Sequence, residues 1–540
     1  MSDNIKVVSF DIFDTLLIRP FIKPSDLFRY IEVSTKSDGF YNWRRGIERR
    51  LFLRYARQVT FDEIYSSAPH EYKYHKLIEL ETESKFLKPN ADIVPLFNKY
   101  RDEGYRIIAI SDMYLPSKFL HKVLDDNGFK GIEKVFVSNE YNATKFKGTL
   151  YKKVLSELGI KPSELLHIGD NSYSDIKIAS RLGIETIHVK KQKGEVFKAS
   201  KFIRKFYSSN KDLAHSIITS ILVENSRREM SVEERFGFEV AGPMILSYTS
   251  FVYRIAKEKG FKKLLCIARD GYFVKACIDA LSLDISAVYT YAPRIEYYLT
   301  HYDTDYQTDS TIPELVLNYF GIDTDDNKRH WIRKNKKRLL PLLESERKRL
   351  NYEAYISSLV AKERKVAIVD GPSGKRTSQK FIQKELGYDV FTFYIQVLPR
   401  RIYKMFKKTS ILRFPKHYII NRVYRSSFIE RVFTSPYRGV EFVYSDGSVE
   451  FKNETPSDKA REDAYKRVEM GILAFMDKIK PFKDIIDIFG NEGVFEGMLY
   501  AYTTYNKQEV KKIKEILKED SWFLYSPELT ETNKSKLTEN

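Results

Sequence analysis

The sequence predicts an α/β protein in which a doubly wound parallel-sheet core, interrupted by an all-helical cap, precedes a second Rossmann-like α/β domain. Short apolar, β-branched runs alternate with amphipathic stretches over residues 90–192, and this alternation is typical of βα units. Residues 20–89 carry helical spacing without a strand signal, which predicts a helical insertion. Apolar runs followed by turns near residues 263 and 365 predict the second sheet.

The first predicted strand covers residues 7–10 and ends at Asp11, and the turn that follows carries a second carboxylate, Asp14. A short apolar run of this kind indicates a buried parallel strand. A carboxylate at the carboxyl end of such a strand faces the crevice where open α/β sheets bind ligands. Because a buried charge is costly unless a cation or hydrogen-bond donors meet it, the sequence predicts a metal site and a phosphate site here.

The cap is predicted to consist of helices alone. Ser25 or Asp26 is expected to cap the first helix, and helical spacing returns over residues 43–57. The segment Thr60-Phe61-Asp62-Glu63 is a capping box that opens a short helix. The last cap helix is expected over residues 70–87.

Four further strands complete the predicted core. The strands are expected at 105–110, 134–137, 165–168 and 185–189, and the helices at 93–103, 117–126, 148–158 and 174–182. The expected domain boundaries are 1–19 and 90–192 for the core, 20–89 for the cap, 193–211 for a basic linker, 212–527 for the second α/β domain and 528–540 for a disordered tail.

Four motifs occur in order, each at a strand end or a helix start. They are Phe10-Asp11-Ile12-Phe13-Asp14-Thr15-Leu16, Ile110-Ser111-Asp112, Lys145 ahead of the helical Tyr151, and Gly169-Asp170 through Asp175. With these motifs, residues 5–192 resemble the haloacid dehalogenase-like (HAD) superfamily, in particular its subfamily I type with a helical cap. The resemblance implies a Mg²⁺-dependent phosphoryl hydrolase that works through an aspartyl-phosphate.

The resemblance also implies roles for individual residues. Asp11 is the implied nucleophile. The implied Mg²⁺ ligands are the side chains of Asp11 and Asp170 and the backbone oxygen of Phe13. Asp175 is either a further ligand or a residue that contacts the ligands without binding the ion. The implied phosphate-binding residues are Thr15, Ser111, Asp112 and Lys145. Lys145 is also expected to neutralise phosphoryl charge and to keep Asp11 ionised.

One position departs from the family pattern. Family phosphatases usually carry an aspartate as general acid and base two residues after the nucleophile, and that position is Phe13 here. Such a group is typically worth ~10²–10⁴-fold in rate. Three alternatives stay open: Asp14 takes over this catalytic role, the leaving group needs no proton, or the site binds phosphate and turns over slowly.

Dehalogenation competes with phosphoryl transfer as the chemistry of the site, and purely structural roles compete for each residue. Dehalogenases of the superfamily also lack the aspartate but need no Mg²⁺, so the carboxylate pair of Asp170 and Asp175 favours phosphoryl chemistry. Lys147 competes with Lys145, and the spacing to Tyr151 favours Lys145. The structural interpretations are a strand-end residue for Asp11, a turn carboxylate for Asp14, helix caps for Ser111, Asp112 and Asp175, and core or edge side chains for His167 and His188.

Two strand-to-helix turns of the second region carry further candidates. They are Arg269 and Asp270 in one turn and Asp370, Ser373 and Lys375 in the other. Amides at a helix start can meet anions, and the layout is faintly similar to phosphoribosyltransferases. These turns indicate either a phosphoribosyltransferase-like or glycosyltransferase site or ordinary βα connections.

Composition sets the expected location and partners. The chain has 540 residues, two cysteines and a formal net charge of +18, and it starts without a secretory signal pattern. These features predict a cytoplasmic protein. The charge favours phosphorylated small molecules or, through the basic residues 400–425, a polyanion or the inner membrane face. A solvated basic face is the alternative, and nucleic acid is not expected.

The combination of three segments narrows the resemblance further. Residues 10–17, residues 111–116 and a second domain that begins near residue 268 are together similar to large bacterial HAD-like proteins associated with surface-polysaccharide biosynthesis. This resemblance implies a sugar phosphate or another small phosphorylated metabolite as substrate.

Overall fold

The computed structural model describes most of the chain. The described residues are 4–55, 57–292, 313, 316–317, 320, 322, 324, 327–342, 345–360, 365–370, 377–395, 409–411, 428–429, 431–437, 440–451, 456–502, 504–505 and 507–516. The chain divides into two compact units, Met1–Arg227 and Arg228–Asn540.

The strands of the first unit are β1 (Val7–Phe10), β2 (Leu17–Ile18), β3 (Lys88–Pro89), β4 (Arg106–Ser111), β5 (Ile132–Val137), β6 (Leu165–Gly169) and β7 (Glu185–His188). Five of them form one sheet in the order β5-β4-β1-β6-β7. All neighbours in this sheet run parallel. This arrangement confirms the predicted doubly wound core. It also places β1 at the centre, so that the carboxyl ends of β4 and β6 flank Asp11.

The helices of the first unit are α1 (Asp26–Thr35), α2 (Phe40–Tyr55), α3 (Phe61–Ser66), α4 (His75–Phe86), α5 (Val94–Asp102), α6 (Ser117–Asp126), α7 (Ser138–Tyr141), α8 (Thr149–Leu158), α9 (Ala179–Arg181), α10 (Gln192–Ala199), α11 (Lys201–Ser209) and α12 (Leu213–Glu224). Short 3₁₀ segments cover His70–Tyr72 and Pro162–Glu164, and a π-helical segment covers Ser172–Ile178.

Helices α1–α4 form the inserted cap. The capping box predicted at Thr60 is present, with reciprocal hydrogen bonds between Thr60 and Glu63. Ser25 is the residue before α1, but its side chain makes no capping hydrogen bond. The two-residue strands β2 and β3 pair antiparallel where the chain enters and leaves the cap, and such a short ladder leaves no periodic signal in the sequence.

Several predicted boundaries differ from the structure. The single helix expected over 70–87 is a 3₁₀ turn followed by α4, and the helix expected over 174–182 is the π-helical segment followed by α9. The segment expected as a linker, 193–211, contains α10 and α11. These two helices bury Val196, Phe202, Ile203 and Phe206, whose helical spacing lies within a strongly basic stretch.

The described strands of the second unit are β8 (Lys263–Ile267), β9 (Ser286–Thr290), β10 (Lys365–Val369), β11 (Asp389–Tyr394), β12 (Thr409–Ile411), β13 (Val440–Val443) and β14 (Val449–Phe451). Five of them form a second sheet in the order β12-β11-β10-β8-β9. Its neighbouring strands are parallel, which confirms the predicted second α/β region.

The described helices of the second unit are α13 (Val232–Phe236), α14 (Gly242–Glu258), α15 (Tyr272–Leu281), α16 (Lys328–Leu342), α17 (Ser345–Val360), α18 (Thr377–Lys380), α19 (Pro456–Ile479), α20 (Glu492–Tyr502) and α21 (Lys507–Ile516). The segments Gly237–Ala241, Phe381–Glu385 and Lys480–Phe489 are π- or 3₁₀-helical. Within the described parts of both units, every helix is too short or too polar to cross a bilayer.

Candidate active site

The candidate site lies at the carboxyl edge of the first sheet, where Asp11 follows β1. The Asp11 amide donates to the carbonyl of Ile168 in β6, 2.8 Å away, which fixes the backbone at the strand end. The Lys145 ammonium lies 2.5 Å from Asp11 Oδ1 and 2.8 Å from Asp175 Oδ1. All three side chains are buried. Residues from three of the four sequence motifs therefore meet around the Lys145 ammonium.

Asp112 positions the loop that carries Lys145. Its Oδ1 accepts from the Lys145 amide at 2.8 Å and its Oδ2 from the Phe146 amide at 3.3 Å. Pro116 precedes α6 without a side-chain cap, so the alternative that Asp112 or Ser111 caps that helix is wrong. Ser111 is buried as the last residue of β4.

Asp170 and Asp175 come from the loop and helix that follow β6. The helix is capped by Asn171, whose side chain accepts from the amides of Tyr173 and Ser174, so the alternative that Asp175 is the N-cap is wrong. Gly169 leaves room for the Asp175 carboxylate, because a Cβ at Gly169 would lie 2.4 Å from Asp175 Oδ2.

Asp11, Asp170 and Asp175 fit a divalent cation. Each offers a carboxylate oxygen, the three oxygens lie within 4.8 Å of one another, and all three residues are buried. Among the described residues, no other group of acidic, histidine or cysteine side chains meets that criterion. Hard oxygen ligands on a buried edge suit Mg²⁺, and a buried set of three carboxylates needs positive charge.

The electrostatics of the site follow from burial and from these close charges. Burial, with the charges of Asp175 and Asp170, raises the pKa of Asp11 to about 8, and Lys145 opposes that rise. Although burial favours the neutral amine, Asp11 and Asp175 raise the pKa of Lys145. Burial also works against the charged form of Asp175, but His167, whose Nε2 lies 3.5 Å away, and the charge of Lys145 lower its pKa.

The turn after β1 carries three residues whose side chains make different contacts, Thr15, Asp14 and Phe13. Thr15 Oγ1 donates to Asp170 Oδ1 at 3.3 Å. Asp14 has a left-handed backbone with φ of 58°, and its exposed carboxylate lies 3.0 Å from the Lys191 ammonium. The Phe13 ring lies under the guanidinium of Arg19 at 4.1 Å. Phe13 thus leaves the usual acid/base position without a proton donor of its own.

Three side chains that touch the site were not predicted as site residues from the sequence. His167, expected as a core histidine, shares a hydrogen bond with Ser9 Oγ at 2.8 Å through Nδ1, and its Nε2 lies 3.5 Å from Asp175 Oδ1. His188 Nε2 contacts the Asp170 carbonyl at 3.0 Å. Lys191 lies 2.5 Å from Asp170 Oδ2. All three lie in or just after β6 and β7, the strands on one side of β1. Their position near the ends of these strands is the sequence feature that could have predicted them as site residues.

The second-unit candidates are only partly described. Arg269 and Asp270 follow β8, and Asp370 follows β10. These two strands are neighbours, with Val369 opposite Cys266. Ser373 and Lys375 lie outside the described residues, as do the basic stretch 400–425 (apart from 409–411) and the predicted tail 528–540.

Comparison with known proteins agrees with this geometry. Residues 5–183 match the family model for haloacid dehalogenase-like hydrolase. The N-terminal region is therefore similar to the HAD-like hydrolases. Its HAD-like core is the five-stranded sheet around β1, and the four motifs lie at the carboxyl edge of that sheet.

Two curated relatives match part of the chain. The chain is 26% identical over 113 residues to the glyceraldehyde 3-phosphate phosphatase of Methanopyrus kandleri, covering 21% of this chain and 48% of that protein. It is 26% identical over 216 residues to the enzyme of the same name from Pyrococcus furiosus, covering 35% of this chain and 81% of that protein. The chain therefore spans about half the length of the first relative.

A solved structure also matches part of the chain. It is a HAD family enzyme from Bacteroides thetaiotaomicron in complex with magnesium and inorganic phosphate. The match has 22% identity and a TM-score of 0.26, and it covers 35% of this chain and 95% of that one.

Proposed function

We propose that the HAD-like region is a Mg²⁺-dependent phosphoryl hydrolase that acts through Asp11. The observation that carries the proposal is the contact of one buried lysine, Lys145, with both Asp11 and Asp175, next to Asp170 in a set of oxygens that fits one ion. A nucleophilic carboxylate, a fixed cation and a metal-binding set are the parts that phosphoryl transfer needs.

The chain's own residues account for the proposed steps. An Asp11 oxygen attacks phosphorus, the bond to the leaving oxygen breaks, and water then cleaves the aspartyl-phosphate to release phosphate and restore Asp11. Lys145 and Ser111 are proposed to bind phosphoryl oxygens while Asp112 holds the lysine loop. The proposed ligands of Mg²⁺, which supplies charge neutralisation, are Asp11, Asp170, Asp175 and the backbone oxygen of Phe13.

The leaving group is where this site differs from the family pattern. Asp14 is the remaining carboxylate in the first turn, and its carboxylate is engaged in an ion pair with Lys191 rather than free to serve the leaving oxygen. We therefore propose that substrates with a stabilised leaving group, such as an acyl or aryl phosphate, react faster than alkyl phosphates by a factor of the order of 10².

The proposed substrates are small phosphorylated metabolites or sugar phosphates. The name of the curated relatives, glyceraldehyde 3-phosphate phosphatase, supports a small phosphorylated aldehyde or sugar as the first to test. A role in surface-polysaccharide biosynthesis belongs to the same proposal and rests on the resemblance of the combined sequence segments. Contact with the inner membrane face or a polyanion is proposed only for the basic residues 400–425.

Phosphate release from p-nitrophenyl phosphate tests the proposed function. We expect release by the wild type with Mg²⁺, no release after chelation, and a loss of about 10³-fold or more in Asp11→Asn. Asp126→Asn, which changes an exposed aspartate at the end of α6, is the matched control and should keep full activity. Activity that survives in Asp11→Asn would contradict the proposal.

The rival from another class is a phosphate-binding or scaffold protein with a weakened core, and Phe13 at the acid/base position favours it. Binding of inorganic phosphate without turnover of either aryl or sugar phosphates would support this rival. A transferase site in the second unit is tested by Asp270→Asn and Asp370→Asn. It gains support if these variants lose the cellular function while Asp11→Asn keeps it.

A further inference from the structure

Lys191 is a second cation of the site that none of the four motifs contains. It lies beyond the end of β7, the edge strand beside β6. Its ammonium is 2.5 Å from Asp170 Oδ2 and 3.0 Å from Asp14 Oδ2. Its side chain is 48% exposed, whereas that of Lys145 is 4% exposed. Lys191 therefore stands at the solvent side of the carboxylates and Lys145 at the buried side.

The two lysines make equivalent connections. Each one joins a carboxylate from the turn after β1 to a carboxylate from the segment after β6. Lys145 joins Asp11 to Asp175, and Lys191 joins Asp14 to Asp170. Asp14 has a left-handed backbone, a conformation that non-glycine residues adopt rarely, and its carboxylate contacts the same ammonium as that of Asp170.

We infer that Lys191 is a positioning residue that sets the affinity of the site for Mg²⁺ against its affinity for phosphate. This inference rests on the proposed function. When all groups are ionised, the two lysines and the four carboxylates that they contact have a formal net charge of −2. One bound divalent cation would neutralise that charge. Without Lys191 the charge is one unit more negative, so the site binds Mg²⁺ more tightly and phosphate less tightly.

Calorimetric titration of Lys191→Met tests this inference. We expect Mg²⁺ to bind about tenfold more tightly and inorganic phosphate, titrated at saturating Mg²⁺, about tenfold less tightly than to the wild type, since one charge is removed near a partly exposed site. Lys190→Met removes the exposed neighbouring lysine and should leave both affinities unchanged. Lys191→Arg keeps the charge and should hold both affinities within about threefold of wild type.

The opposite signs of the two shifts separate this role from simple structural support. If Mg²⁺ and phosphate both bind more weakly to Lys191→Met, or if neither affinity moves relative to Lys190→Met, the inference is wrong while the proposed function stands. If the wild type itself binds no Mg²⁺, the proposed function fails and the inference fails with it.

Discussion

Asp11 is the residue on which the proposed chemistry depends, and its surroundings set its protonation. It is buried beside Asp170 and Asp175, and without a metal ion this raises its pKa to about 8. The Lys145 ammonium, 2.5 Å away, is the group that opposes the shift. A buried carboxylate of this kind is poised to exchange its proton for a metal ion.

Metal binding should therefore depend on pH. Only the ionised carboxylate binds Mg²⁺, so the apparent affinity should rise about tenfold per pH unit between about pH 6 and the pKa and level off above it. At about pH 7, calorimetry in buffers of different ionisation enthalpy should detect the release of about one proton per ion. Asp11→Asn should abolish that release, and an unchanged release in this variant would show that another group loses the proton.

The same shift fixes the direction of a stability effect. The folded-state pKa of Asp11 is raised from an ordinary value of 3.8 to about 8. Between these values the folded chain holds a proton that the unfolded chain has lost. Without Mg²⁺, the Asp11 contribution to stability therefore falls as pH rises through that window.

At the residue scale, the motif residues could be predicted from the sequence and their partners only in part. The positions of Asp11 and Asp170 could be predicted because strand ends are visible as pattern changes, whereas Lys145 was preferred to Lys147 through the family spacing to Tyr151. The part of Asp112 in holding the lysine loop and the contact of His167 with Asp175 could not, because they depend on side-chain direction. Lys191 lacked any motif and meets Asp14 across 177 positions of sequence.

At the scale of elements, the site is built by parallel strands and the turns that leave them. The centre position of β1 brings the ends of β4 and β6 to its two sides. The apolar, β-branched runs predicted these strands because their periodicity is local. The two-residue ladder of β2 with β3 and the π-helical segment Ser172–Ile178 could not be predicted, since a short ladder and a shifted hydrogen-bond register leave no separate pattern.

In the second unit, α19 packs so closely against α13 and the segment after it that one position of α19 must be glycine. A Cβ at Gly471, in α19, would lie 2.0 Å from the backbone oxygen of Glu234 in α13 and 2.7 Å from the amide of Phe238. These are backbone atoms, which cannot move aside as a flexible side chain can. The close packing of α19 therefore depends on this position.

Gly471→Ala should destabilise the protein by about 3 kcal/mol, because the added methyl group forces the helices apart. The comparison is Gly194→Ala in α10, where a Cβ meets nothing within 4 Å and the gain in helix propensity stabilises by up to about 1 kcal/mol. Thermal melting measures both: we expect a lower Tm for Gly471→Ala and an equal or higher Tm for Gly194→Ala. Equal Tm values for wild type and Gly471→Ala would refute the packing argument.

At the scale of the whole molecule, the chain combines a HAD-like unit with a second parallel-sheet unit. The fold class of both units could be predicted, because each has apolar runs that end in polar turns. The segment predicted as a linker forms α10 and α11 because Phe202, Ile203 and Phe206 supply a buried face within a basic composition. The chemistry of the second unit could not be predicted, since its turns contain no motif of specific spacing.

The proposed function requires Asp11 to carry the phosphoryl group during turnover. The direct measurement is acid quenching of the reaction with radiolabelled p-nitrophenyl phosphate, followed by peptide mapping. We predict Mg²⁺-dependent label on the peptide that contains Asp11 and no label in Asp11→Asn. Turnover by the wild type with label on a different peptide would contradict the claim.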